Sequence, residues 1–211
     1  MKKTGGIILA VLVTAAALSG CGQKAAIKQT ADETFSYEEG TEALDYGANI
    51  RRYSDLDITI SADERYVDED MAKVVSDYYY AIQTQNMELY KSATIDIYQD
   101  YLMNVVYADE EYDEKSFLKA LNTGMKNAVG ENFKINEIEV SDVSRSETTL
   151  LSSIYDMLDE LSGEDYSNEK IEDGAELTTA FIVESDKGEN EITDQKEYLL
   201  KFDGKWHLIT G

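Results

Sequence analysis

The residues predict an α+β domain in which N-terminal helices pack on a curved antiparallel sheet ending in a β-hairpin. Three observations carry this. Apolar residues recur at helical spacing from Met71 to Val129, the period then shortens to two from Phe133, and Asp203-Gly204 separates two alternating runs near the C-terminus. Helices first, then a bent strand and a meander, is an α+β order.

Asp68 is placed to cap a helix beginning at Glu69, with Met71, Val74, Val75, Tyr78 and Ile82 on one stripe and Asn86 closing it. A second helical stretch runs from Leu89 through Tyr98 and Tyr101 to Val106. A third follows Asp113, carries Phe117, Leu118, Leu121, Met125 and Val129, and meets Gly130 as a left-handed stop. Phe133 and Ile135 alternate, then Ile138 and Val140 do so after a slip of one residue, which reads as a bulged strand. Leu150 to Leu161 forms a short amphipathic helix ending at Gly163, followed by an acidic loop. Glu176 to Glu184 reads as a strand and Asp186-Lys187-Gly188 as a turn. Glu197–Phe202, Asp203-Gly204 and Lys205–Ile209 make the closing hairpin.

Upstream, Lys2 and Lys3 precede an apolar run from Ile7 to Leu18, too short to span a bilayer but the length of an export-signal core. The run ends in Leu18-Ser19-Gly20-Cys21, which resembles the lipobox of bacterial lipoproteins. That resemblance implies cleavage before Cys21, a lipid on its sulfur, and a protein anchored in the cell envelope. The anchor would lie on the outer side of the cytoplasmic membrane, or in an outer membrane if the host has two. Residues 1–20 then form the signal peptide and 21–61 a tether with a short edge strand over 53–60. Residues 62–211 form the α+β domain. Cys21 is the only cysteine, so the mature domain holds no disulfide.

The chain carries 43 acidic and 19 basic residues, and losing Lys2 and Lys3 takes the formal charge from −24 to −26. Such a surface repels phosphate backbones, which argues against nucleic-acid partners. One histidine and one cysteine leave no zinc spacing and no triad. No P-loop or dinucleotide fingerprint occurs, and the acidic runs 63–70 and 109–114 lack the alternating ligands of a calcium loop. No metal or cofactor is expected.

Two segments resemble a known family. Asp77-Tyr-Tyr-Tyr-Ala-Ile-Gln-Thr-Gln-Asn-Met-Glu-Leu-Tyr90 looks like the opening helix of nuclear transport factor 2-like domains, and Tyr198-Leu-Leu-Lys-Phe-Asp-Gly-Lys-Trp-His-Leu-Ile209 like their closing hairpin. The resemblance covers about residues 66–210 and implies a cone-like, cystatin-like fold with a cavity between helices and sheet. Helix 146–163 fits that pattern only loosely. In such a cone Tyr78, Tyr79, Tyr98, Tyr101 and Trp206 would line the cavity and contact a small molecule or peptide. The leading expectation is a membrane-anchored, non-catalytic binding module for a small ligand, a peptide or another envelope protein. The alternative is an enzyme like ketosteroid isomerases or dehydratases, pairing a pocket carboxylate with a tyrosine, for instance Asp77 or Asp96 with Tyr98. A third is an interaction module whose acidic face meets a cationic partner. His207, the only imidazole, alternates with inward Trp206 and Leu208 and so reads as a surface or packing residue.

Overall fold

Side-chain capping sets the starts of four helices in the computed structural model, which describes residues 46–106, 113–145 and 148–210. Strands β1 (Ile50–Asp55) and β2 (Ile58–Asp63) come first, followed by helices α1 (Glu69–Thr84), α2 (Met87–Ala93) and α3 (Asp96–Tyr101). A π-helical turn over Leu102–Val106 ends this run. Helix α4 (Glu114–Val129), strand β3 (Lys134–Ser144) and helices α5 (Thr149–Ser162) and α6 (Tyr166–Lys170) lead into the long strands β4 (Ile171–Ser185) and β5 (Gly188–Phe202) and the final β6 (Lys205–Thr210). Among the described residues no helix is long and apolar enough to cross a membrane. The expected signal peptide, Cys21 and the expected tether up to residue 45 lie outside the described residues.

The Asp68 carboxylate accepts from the Met71 amide at 2.8 Å and starts α1. Asp113 starts α4 within a reciprocal capping box with Ser116, and Thr148 starts α5. Gly163 closes α5 at φ 69°, as its position predicted. Gly130 ends α4 at φ 118° and ψ 169°, a positive-φ conformation other than the left-handed helical one, where a Cβ would also strike Ser185 and Asp186.

The helical stretch from Leu89 to Val106 is not continuous. Asn86 caps a separate α2 by accepting from Leu89, and extended Thr94 and Ile95 split α2 from α3. The loop after Gly163 contains α6, and the expected strand 176–184 extends to 171–185.

The strands form one open sheet in the order β1-β2-β3-β4-β5-β6. It is mixed rather than purely antiparallel, because β2 and β3 run parallel through Thr59–Glu137, Ile60–Ile138 and Ser61–Glu139. The alternation at 53–60 spans two strands, since Leu56 and Asp57 turn the chain at φ 50° and 64°. Residues 50–63 therefore form a hairpin within the sheet, where a tether with one short edge strand over 53–60 was expected. In β3 the register shifts between Ile135 and Glu137, where the sequence slip lies, and again between Val140 and Asp142.

Both faces of the C-terminal half are covered. Leu177 pairs with Glu197, and that face meets Tyr79 of α1. Gly174, three residues away without a register shift, points oppositely, and a Cβ there would collide with Tyr155 and Leu151 of α5. The edge strand β6 is flanked by α2, while Tyr98 of α3 donates to the Thr210 carbonyl at 2.7 Å.

Candidate functional site

The Asp203-Gly204 turn, with φ 48° and 75°, fixes the register of β5 and β6. Lys201 then pairs with Trp206, Leu199 with Leu208, and Glu197 with Thr210, all on one face. Across from them α1 presents Tyr78 and Tyr79. The Tyr79 hydroxyl donates to Oε1 of Glu197, whose residue is 1 % exposed. The second oxygen, Oε2, is buried without a hydrogen-bond partner among the described residues. The Phe181 ring lies edge-on to Tyr79 at 4.6 Å between centroids.

Burial pushes the Glu197 carboxyl up to about 8, against the opposing pull of the Tyr79 hydrogen bond. The same burial, reinforced by Glu197, raises Tyr79 well above the ordinary phenol range. At neutral pH the pair is uncharged and shares one hydrogen bond.

The predicted ligand tyrosines gather here only in part. The Tyr78 hydroxyl lies 3.4 Å from Oγ1 of Thr210, and its ring packs on Tyr90 at 5.4 Å. Tyr98 reaches the same residue through its bond to the Thr210 carbonyl. Tyr101 is half-buried beside Tyr98 at 6.5 Å. Trp206 lies four residues along β6, roughly 13 Å by strand rise, with the Arg145 guanidinium 5.1 Å from its ring and Lys201 at 5.8 Å. Tyr78, Tyr79, Tyr98 and Trp206 are all buried, so the protein's own side chains fill the inner face. Cys21 lies outside the described residues.

The carboxylate–tyrosine pairs offered for the ketosteroid-isomerase-like alternative do not assemble. Asp77 is held by Lys73 at 2.8 Å, and Asp96 is exposed at the start of α3. The buried carboxylate that accepts a hydrogen bond from a tyrosine hydroxyl here is Glu197. Its position was readable, because an Asp-Gly hairpin that turns Trp206 and Leu208 inward must also turn Glu197 inward. Phe181 and Thr210 gave no comparable signal. His207 donates from Nδ1 to the Thr94 carbonyl at 3.2 Å, and burial lowers its pKa.

Among the described residues, two of the surface clefts stand out. One, about 340 Å³, lies between α2, α3, the π-helical turn and α4, with Met87, Met103 and Gln99 on its walls and the Lys91–Glu114 ion pair beside it. The other, about 500 Å³ and more polar, lies between α5, α6 and the start of β4, lined by Asp156, Asp159 and Asp173. Neither is lined by Glu197 or Tyr79. Among the described residues no group of three or more histidine, cysteine or acidic side chains is placed to hold a metal. In the 63–70 run, Asp63 is engaged by Arg65 and the Gly47 amide, and Asp68 is a helix cap.

Compared with protein-family models, curated proteins and solved structures, the chain matches none.

Proposed function

We propose that this chain is a lipid-anchored, non-catalytic binding module of the bacterial cell envelope, with acyl chains on Cys21 holding it on the outer side of a membrane. The lipobox Leu18-Ser19-Gly20-Cys21, containing the only cysteine, supports the anchor. The filled inner face favours an outer-surface role, because Tyr78, Tyr79 and Tyr98 already bond to Thr210 and Glu197. On this reading the two surface clefts are where a peptide or an envelope protein engages. The fold reading that goes with it is a variant of the nuclear transport factor 2-like, cystatin-like cone. In that variant α1–α4 and β3–β6 form the cone, and the β1–β2 hairpin is an addition.

The test has two parts. Growth with a clickable fatty acid should label the full chain and place it in the membrane fraction. Cys21→Ser should lose both, and label retained by that variant would remove the anchor. Native mass spectrometry of the chain purified from its own host then separates the binding modes. A retained small molecule would return the function to the inner face, whereas a bare chain that photo-crosslinks to one envelope protein from Asp100 or Asp156 supports the surface reading.

The enzymatic alternative draws on one observation, the buried Glu197 beside Tyr79. It requires a small ligand to reach that carboxyl. Protection of α1 from hydrogen exchange by an apolar ketone would favour it, and no protection at saturating ketone would count against it.

A further inference from the structure

We infer that Glu197 is a proton-operated latch between α1 and the sheet: with its carboxyl protonated α1 stays docked on β5, and loss of that proton loosens the joint. This stands apart from the anchoring and binding reading above.

The geometry carries it. Glu197 is fully enclosed, and its only hydrogen-bond partner among the described residues is the hydroxyl of Tyr79. No cationic side chain pairs with it there. Lys196, its chain neighbour, turns to the other face and pairs with Glu176 at 2.9 Å. The groups facing Glu197 are Tyr78 and Tyr79 from α1, Leu177 from β4 and Thr210 from β6. Tyr198, adjacent in the chain, is the remaining titratable neighbour, and burial raises it to about 12. The three phenols therefore stay neutral wherever Glu197 titrates, and none can offset a negative charge. An unpaired carboxylate in such a site is strongly disfavoured, so the folded chain retains the proton.

The direction of the pH effect follows. The carboxyl is raised from 4.5 to about 8 in the folded chain. Its contribution to stability is therefore complete below about pH 4.5 and is lost as the pH climbs through about 8. Across that window the folding equilibrium loses up to about tenfold per pH unit. The joint affected is specific: α1 is tied to β5 at Tyr79–Glu197 and to β6 at Tyr78–Thr210.

The test uses the full-length chain in detergent, with the single tryptophan, Trp206, as reporter of unfolding in urea. Glu197→Gln imitates the protonated carboxyl and cannot ionise. Between about pH 5 and 8 the unfolding constant of the wild type should rise at least about 100-fold more than that of Glu197→Gln, with α1 amides losing exchange protection first in the wild type. Parallel pH curves for the two proteins would overturn the latch. Should Glu197→Gln fail to fold, the wild type alone decides through the carboxyl ¹³C resonances of its glutamates. One glutamate titrating well above the rest, and moving further upward in Tyr79→Phe, supports the latch. All glutamates titrating below about pH 5.5 refutes it.

Discussion

Glu176 and Glu197 stand on neighbouring strands in consecutive register rows, Glu176 opposite Tyr198 and Glu197 opposite Leu177, yet they face opposite sides of the sheet. Both are buried. On the α5 side, Glu176 receives a hydrogen bond from Thr148 at 2.6 Å and pairs with Lys196 at 2.9 Å. Burial alone would raise it, but these two partners outweigh burial and hold it below the ordinary carboxylate range. On the α1 side, Glu197 has a single neutral donor, and burial prevails. The lesson is that depth does not decide the charge of a buried acid; the number and sign of its partners do. The two acids consequently bias stability in opposite pH directions. Glu176 contributes above about pH 4.5 and loses that contribution as the pH falls, while Glu197 does the reverse over a higher range.

The largest expected effect comes from removing the polar pair on the α1 face. Tyr79→Phe combined with Glu197→Leu should stabilise the protein by roughly 3 kcal/mol at about pH 8, because the buried carboxyl that must ionise and the hydroxyl bonded to it leave together. The gain should shrink toward zero near pH 4.5. Urea unfolding at the two pH values checks this, and a destabilised double variant at pH 8 would break the contrast. The next effect is on the opposite face, where Gly174→Ala drives a methyl into Tyr155 and Leu151. A loss of about 2 kcal/mol is expected from overpacking, with exchange protection falling in 149–162 but not in α1. Third, Tyr98→Phe removes the bond to the Thr210 carbonyl and should cost about 1 kcal/mol by thermal unfolding. The smallest effect belongs to Glu176→Gln, under about 1 kcal/mol at neutral pH, because Lys196 is well solvated and the ion pair is screened. The same variant should flatten the acid limb of the stability curve below about pH 4.5.

Much of this arrangement was legible wherever the determinant was local. Asp68, Asp113 and Gly163 sit at helix ends because capping is chemistry within one turn, and the slip between Ile135 and Ile138 is the bulge itself. The β1–β2 turn escaped because Leu56 and Asp57 adopt left-handed backbone without a glycine or asparagine to announce it. The parallel joint of β2 and β3 escaped for another reason, since some seventy-eight residues separate Ile60 from Ile138 and no local pattern records such a pairing. The break between α2 and α3 lies within an apolar periodicity that continues across it, and only the extended Thr94 and Ile95 betray it. Of the site, the tyrosines were visible as a cluster. Glu197 required the hairpin register to be carried thirteen residues back from Thr210, which the Asp-Gly turn permits.

The Asp63 carboxylate, fully buried at the end of β2, accepts from the Gly47 amide at 2.9 Å and from two nitrogens of Arg65 at 2.9 and 2.6 Å. Burial opposes its ionisation, but these bonds bring it down to about 2. Tyr46 adds a link from its hydroxyl to the Val140 carbonyl at 3.0 Å. In mechanical terms this is a strain relief. A pull on the chain ahead of residue 46 loads Tyr46 and the Asp63 knot before it reaches the hydrogen bonds of the β1–β2 hairpin, which would otherwise unzip one pair at a time. Tension along the N-terminal segment is therefore taken up at β2 and β3, in the middle of the sheet order rather than at its edge.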